Sequence, residues 1–469
     1  MTVIKIVVGA FILAQLLIAT PVWAACQGAS PNLTAASANQ ADVTACLAVA
    51  ANGDTISVPA GGATWTSAIT ITKFVKLVAS GAVTIVDNSP GGDPSAGGGA
   101  SLISITESAA GNTKIQGFVF QQGTAIHQGG SGIIAINYAS GGQPILITGN
   151  TFAQGGSGNA IVARTNRGVI SNNTFTGIPV TSNCFNNTSA VRHKPSGLGD
   201  SWSTPAKFGS ADTDGAQNLY FETNTVTNML EAIDVDDNGR LIVRYNTFTN
   251  AAVGTHGDDT SAFGGRYYEA YNNNFLSDTT PVCPGGLPTN VNFFLTLRGG
   301  TALIHDNVIQ RLSNAAWGSK SEVAFTVEMP RRNAGAYACW GTSTPGGYPA
   351  PRQAGWGYTA GRTQAGGTGV FQDVEPIYLW NNSGDGNYNS PVVMDYAPNE
   401  CGTGALSAAN LVVPGREYFV STAKPGYTPY TYPHPLAGGV SAPPPPGPVS
   451  APPPAVVVPP AAPTGLTVK

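Results

Sequence analysis

Ile147-Thr148-Gly149-Asn150-Thr151-Phe152 returns 23 residues later as Ile170-Ser171-Asn172-Asn173-Thr174-Phe175. The same phrase recurs as Phe221-Glu222-Thr223-Asn224-Thr225-Val226, and 22 residues on as Val243-Arg244-Tyr245-Asn246-Thr247-Phe248. It comes back as Glu269-Ala270-Tyr271-Asn272-Asn273-Asn274-Phe275 and as Leu303-Ile304-His305-Asp306-Asn307-Val308-Ile309, while Ile115-Gln116-Gly117-Phe118-Val119-Phe120 is an earlier version without Asn. A period of this size suits one coil of three short strands joined by turns. Asn tolerates the left-handed conformation of a tight corner, and its amide can bond the equivalent Asn one coil away. Strands stacked about 4.8 Å apart make residues of equal phase into neighbours. A β-sandwich offers no reason for Asn to recur at one phase with a coil-length period.

This repeat resembles the pectate-lyase-like superfamily of right-handed parallel β-helices, over roughly Gly53 to Ile309. The resemblance includes the entry segment Gly53-Asp54-Thr55-Ile56-Ser57-Val58-Pro59-Ala60-Gly61. It implies an all-β fold, a right-handed parallel β-helix solenoid with a short N-terminal helical cap and an irregular C-terminal region. It does not imply one activity, because that fold carries lyases, hydrolases, esterases and non-catalytic adhesins. The expected division is a signal peptide over 1–25 and a β-helix domain over 26–437. Within the domain, the cap covers 26–51, the coils about 52–310, and an aromatic- and Gly-rich part 311–437. Residues 438–459 read as a Pro-rich, semi-rigid linker, and 460–469 as the start of a fibronectin type III module or a disordered tail. In the cap, Ala41 to Ala50 reads as a short helix covering the open end of the solenoid.

Lys5, the apolar run Ile6 to Ile18, and the small residues ending in Ala24-Ala25 predict export behind a cleaved signal, to the cell surface or the medium of a bacterium. That apolar run is short for a membrane span, and no later segment is apolar enough to make one. The six cysteines all follow the cleavage point and form no close C-x-x-C pair, so disulfides are expected rather than zinc. The expected pairs are Cys26–Cys46 in the cap and Cys339–Cys401 near the C-terminus. Charged residues make up 10% of the chain, where soluble domains average about 25%. The net charge is −4 and there is no basic run, which argues against nucleic acid as partner. The expected partner is a polysaccharide, and the expected state a monomer.

Counting from the repeated Asn locates the candidate chemistry. Asp234 stands ten residues after Asn224, and His256 ten after Asn246; Asp236 and Asp258 follow at twelve, Asp237 and Asp259 at thirteen. The two segments should stack on one side, with Asp234 and Asp236 outward and Val235 inward. Carboxylates so crowded resist joint ionisation, which suits an acid catalyst. They also suit Ca²⁺, with Asp237 and Asp259 as ligands, or a plain acidic turn. Arg167, Arg240 and Arg266 each precede a repeat Asn by six residues and should form a cationic row able to grip carboxylate or sulfate. Arg298 and Glu269 are further substrate contacts, and Trp202 could stack on a sugar ring. His305 reads as a ladder residue, and His193 with Lys194 as part of a polar insertion.

Compared with polygalacturonases, the chain fuses His256-Gly257-Asp258-Asp259 into one coil and has no downstream Arg-x-Lys triplet. It also lacks the Trp-x-Asp-His segment of pectate lyases. The expectation is therefore a secreted polysaccharide lyase or glycoside hydrolase, with Asp234, Asp236, His256 and Asp258 as the working cluster and Arg240 and Arg266 neutralising substrate charge. The alternative is a non-catalytic extracellular adhesin or envelope protein.

Overall fold

A computed structural model describes residues 25–93, 99–156, 158–177, 188–195, 212–236, 238–255, 265–277, 293–311, 323–329, 354–358, 372–384, 391–395, 409 and 412–438. The chain winds as a parallel β-helix whose coils contribute strands to three faces. Sheet I stacks Leu146–Thr148, Gly168–Ser171, Leu219–Glu222, Arg240–Arg244, Tyr267–Tyr271, Thr301–His305 and Ile377–Trp380, each pairing in parallel with the next. Sheet II follows the repeat Asn, with Thr151–Ala153, Thr174–Thr176, the first part of Thr225–Val235, the first part of Thr247–Thr255, Asn274–Ser277 and Val308–Arg311. Sheet III stacks Ile134–Asn137, Gly158–Arg164, Thr188–His193, the last part of Thr225–Val235, the last part of Thr247–Thr255, Phe293–Leu297 and Val323–Met329.

The repeat Asn builds the corner between sheets I and II. The Asn150 amide donates to Asn173 Oδ1 (3.1 Å), Asn173 to Asn224 (3.1 Å), Asn224 to Asn246 (3.2 Å) and Asn246 to Asn273 (2.9 Å). Asn273 then donates to Asn307 (3.0 Å), and Asn307 to Asn382 (2.9 Å). Every one is buried, and each Oδ1 also accepts the backbone N–H of the preceding ladder Asn, so no polar atom of the corner is wasted. The left-handed conformation falls one residue earlier than the sequence suggested. It belongs to Gly149, Asn172, Thr223, Tyr245, Asn272, Asp306 and Asn381, with φ between 54° and 66°. The ladder Asn is thus chosen for its amide, and the residue before it bears the turn.

Stacking does not stop at Ile309. Ile377–Trp380 continues sheet I, Ser383–Gly384 continues sheet II, Val392–Asp395 continues sheet III, and Tyr418–Val420 adds a further sheet I strand. The coil length there is 75 residues from Asn307 to Asn382, which hides the period. Inside sheet II, Phe120, Phe152 and Phe175 stack at 5.3 and 4.9 Å, and Phe248 on Phe275 at 5.0 Å.

The helical cap spans Gln40–Val49 and buries Val43 and Cys46. Cys26 and Cys46 form a disulfide, Cα atoms 4.9 Å apart, tying the first strand to the helix as expected. The helix's open carbonyls at its C-terminal end are met by Lys73 Nζ, which donates to Leu47 (3.3 Å), Ala48 (3.0 Å) and Ala50 (2.7 Å). Cys184, Cys283, Cys339 and Cys401 lie outside the described residues. No helix among the described residues is long and apolar enough to cross a membrane.

The C-terminal segment lies across the outer face of sheet I as a strap. Tyr427 meets His305 and Trp380, Tyr430 meets Arg244 and Tyr220, and Tyr432 meets Tyr245 and Thr223. His434 reaches Glu222, and Pro435–Ala437 packs on the Gly168–Ser171 and Leu146–Thr148 strands. The strap therefore runs back across seven strands. Six strand spacings of about 4.8 Å come to about 29 Å, and ten extended residues reach about 33 Å, so a nearly straight chain suffices.

Candidate functional site

The outer face of sheet III carries a described cluster of charges whose cations keep contact with solvent. In register, Val162 pairs with Arg192, Arg192 with Asp234, and Asp234 with Gly254. Alternation turns Arg192 and Lys194 outward and His193 inward, then Asp234 and Asp236 outward and Val235 into the core, as the sequence predicted for the last three. Arg192 Nη1 sits 2.5 Å from Asp234 Oδ2, and its Nη2 3.8 Å from Asp236 Oδ2. Lys194 Nζ lies 3.3 Å from the same Asp236 oxygen. The carboxylates are nearly buried, at 4% and 6% exposure, while Arg192 and Lys194 keep 22% and 34%. The cations thus cover the acids and present their own edges to solvent.

One coil toward the N-terminus, Arg164 continues the outward row. Its Nη1 donates to Asn137 Oδ1 (2.9 Å) and its Nη2 to the Gly130 carbonyl. Lys194 N–H bonds the Ala163 carbonyl (2.8 Å), which carries the register on and sets Lys194 beside Arg164. On the far side, Val253 pairs with Leu295; Leu295 and Leu297 are buried, and Arg298 falls on the outward phase, its N–H bonded to Thr255 Oγ1 (3.0 Å). Arg164, Arg192, Lys194 and Arg298 therefore share a face with Asp234 and Asp236.

Behind this row His193 is fully buried, its Nε2 bonded to the Thr165 carbonyl (3.0 Å), and burial pushes its imidazole down to about 4. Its own carbonyl accepts the Asp236 N–H (2.8 Å), so the core histidine and the surface carboxylate share one backbone link.

Counting from Asn misplaced the partner of Asp234. The ruler set His256 level with Asp234, whereas Gly254 is level with Asp234 and Thr255 with Val235. The Thr225–Val235 strand is irregular between Met229 and Glu231 and again between Glu231 and Ile233, and takes up two extra residues there. His256, Asp258, Asp259, Asp237 and Trp202 lie outside the described residues. Among the described residues no group of three or more His, Cys, Asp or Glu is placed to hold a metal ion.

The expected arginine row also changes. Arg240 pairs with Tyr267, so Arg266 stands one residue out of phase, because the ladder residue is Asn273 and not Asn272. Arg240, Arg266 and Glu269 are buried at sheet I. Arg266 Nη2 pairs with Glu375 (2.6 Å), and Glu269 accepts from Tyr267 (2.5 Å) and from Tyr427 of the strap (2.8 Å). Burial, with the like charge of Arg266, pushes the Arg240 guanidinium down. Arg167 is held by Glu107 (3.2 Å). These residues bind the coils and the strap together, whereas Arg192 and Lys194 of sheet III keep part of their side chains exposed among the described residues.

Arg192 and Lys194 were the residues sequence reasoning passed over. Their signal is the alternation Ala190-Val191-Arg192-His193-Lys194, two cations two apart at the end of an apolar strand.

No protein-family model matches the chain, and neither does any curated protein sequence. Among solved structures, the chain is similar to a PL6-family polysaccharide lyase from Pseudopedobacter saltans at 12% identity and a TM-score of 0.31, covering 79% of each chain. It is also similar to a mutant of the PL6-family alginate lyase AlyGC at 12% identity and a TM-score of 0.28, covering 78% of this chain and 51% of that one. Neither likeness reaches the level at which a shared site or substrate follows.

Proposed function

We propose that the chain is an exported polysaccharide lyase that binds an extended acidic glycan along the outer face of sheet III. The observation that carries this reading is a cationic row, Arg164 on one coil and Arg192 with Lys194 on the next, laid beside Asp234 and Asp236 of the coil after. Arg164 and Lys194 lie one strand spacing of about 4.8 Å apart and Arg298 three coils further on, so the cations are spread over about 19 Å of the solenoid axis, the span of a short run of sugar rings. Guanidinium and ammonium groups at that spacing suit the carboxylates of uronate residues. Export rests on the N-terminal apolar run and on the Cys26–Cys46 bridge.

Elimination fits the charges better than hydrolysis. A glycosidase needs one carboxylic acid kept protonated, and both described carboxylates face cations within 3.8 Å. In the proposed reaction Arg192 and Lys194 exchange Asp236 for the substrate carboxylate and neutralise it, which acidifies the proton on C5. His256, next in the chain after Thr255, takes that proton. The C4–O bond breaks, a C4=C5 double bond forms, and the leaving oxygen takes a proton from the imidazolium or from water. Asp234 and Asp258 orient the cations, and Arg298 extends the binding row. No step is assigned to a metal.

The test is product release from a panel of acidic and neutral polysaccharides, read by ultraviolet absorbance of the unsaturated ends and by reducing ends. Absorbing products that disappear in folded Lys194→Ala and Arg192→Ala variants support the reading. Reducing ends without absorbance would replace it with hydrolysis. A second reading, an extracellular binding or envelope protein, draws on the open sheet II face, where Thr174, Thr225 and Thr247 stack in register beside Thr176, Thr227 and Thr249. No release from any glycan would favour it.

A further inference from the structure

His434 docks the strap with a ring that has no vacant nitrogen. Its Nδ1 accepts the Leu436 N–H (3.2 Å) and so caps the Pro435–Ala437 turn. Its Nε2–H donates to the Asp212 carbonyl (2.8 Å), and its backbone N–H donates to Glu222 Oε1 (2.9 Å). The ring lies 4.4 Å from that of Tyr220. On another side a Cβ added at Gly215 would stand 3.2 Å from Cε1, so the loop is closed against the imidazole. These partners fix the neutral form with its proton on Nε2. A second proton must enter at Nδ1, where the Leu436 N–H already points, and would set two donors against each other.

The charged surroundings do not offset this. From the 212–218 loop come Asp212 and Asp214. The Asp212 carboxylate is taken up by Tyr220 (2.8 Å), by Asn218 (3.0 Å) and by backbone N–H groups of Ala216, Gln217 and Asn218. From sheet I come Tyr220, Glu222 and Arg244; Glu222 is held by Arg244 at 2.7 Å, so its attraction for a proton on His434 is opposed by the neighbouring guanidinium. The strap itself contributes Tyr430 and Tyr432. Burial is the largest influence on the ring and lowers its affinity for a proton.

We propose that the strap, residues 427–437, is an acid-released latch: protonation of His434 detaches it from sheet I and uncovers Arg244, Tyr271 and Trp380. In the detached strap the imidazole titrates near its ordinary value of about 6.5. The docked form holds the neutral ring, so docking is strongest above that pH and weakens as pH falls below it. The latch is independent of what sheet III binds.

Hydrogen exchange on the full-length chain, corrected for the intrinsic pH dependence of exchange, tests this at pH 7.5, 6.0 and 5.0. Opening of the 426–437 peptide relative to the Ile134–Asn137 strand is expected to rise about tenfold between pH 7.5 and 5.0. His434→Asn keeps an acceptor for the Leu436 N–H but does not titrate, and is expected to abolish the rise. Equal opening at all three pH values overturns the latch, as does a rise that survives in His434→Asn. If that variant leaves the strap open at every pH, the wild-type imidazole itself decides, followed by NMR. A pKa below about 6.5 supports the latch, and one at or above it overturns it.

Discussion

The ring of Tyr432 lies flat on that of Tyr245, centroids 3.5 Å apart and planes 16° apart. Tyr245 has φ 57°, a conformation that costs a bulky residue about 1–3 kcal/mol. The Tyr432 hydroxyl also meets Thr223 Oγ1 at 2.9 Å, and Thr223 bears the left-handed turn of the neighbouring coil with φ 58°. One strap residue thus covers two strained corners. Tyr432→Ala is expected to lower stability by about 2 kcal/mol, and Tyr432→Phe, which keeps the stack, by about 1 kcal/mol, read from urea midpoints. Equal losses in the two variants would show that the stack contributes nothing.

The Asn ladder predicts a large local cost. Asn224→Ala removes the acceptor used by both nitrogens of Asn173 and the donor to Asn246 and to the Ile170 carbonyl. Several buried polar atoms then lack partners, for a loss of about 3 kcal/mol or more. Asn224→Asp keeps the acceptor and loses the donor, so an intermediate loss is expected by denaturant titration. Retention of full stability by Asn224→Ala would remove the ladder from the account of the fold.

The pair Arg192 and Asp234 should couple strongly for a surface-facing pair, because Asp234 is nearly buried. A double-mutant cycle with Arg192→Met and Asp234→Asn is expected to give a coupling of about 1–3 kcal/mol. Raising salt should leave most of it in place, since a buried carboxylate is poorly screened. A coupling near zero would mean that Arg192 is held in place by something else, and that its loss reads on binding alone.

His193 makes overall stability depend on pH. Its folded value of about 4 lies below the unfolded value of about 6.5, so the folded state holds the neutral ring and the unfolded chain binds the proton. The contribution is complete above pH about 6.5 and falls by about 1.4 kcal/mol per unit down to the folded value, about 3 kcal/mol in all. The difference in unfolding free energy between pH 7.5 and 4.5 should shrink in His193→Gln by most of that amount. A difference unchanged by the substitution would place the sensitivity elsewhere.

The fold was legible because the corner demands the same side chain in every coil. Asn150, Asn173, Asn224 and Asn246 announce the period wherever coils are short. Asn382 sits in the same ladder, yet 75 residues of excursion separate it from Asn307, so no period remains to be read. Asp234 and Asp236 were legible as an outward pair from alternation with Val235. Their partners were not, because two irregularities within Thr225–Val235 move the register of sheet III without moving that of the Asn corner. The fate of Arg240 and Glu269 was hidden for another reason. A residue that faces outward from a sheet is open only if no distant segment lies over it, and Tyr427 comes from 158 positions further along the chain.

That distance gives the strap a consequence for the order of folding. A bare solenoid is a one-dimensional stack in which each coil senses only its neighbours, so it can fray from an end or fold in pieces. The contacts Tyr432–Thr223 and His434–Asp212 span 209 and 222 residues and close that stack on itself. Contacts of such long range raise the entropy that must be surrendered before they form, and slow the step that makes them. The middle coils can wind as soon as they are synthesised, but they are locked only when residues 427–437 arrive. Until then the face carrying Arg244 and Glu222 is a half-built interior, awaiting a segment some two hundred residues further along its own chain.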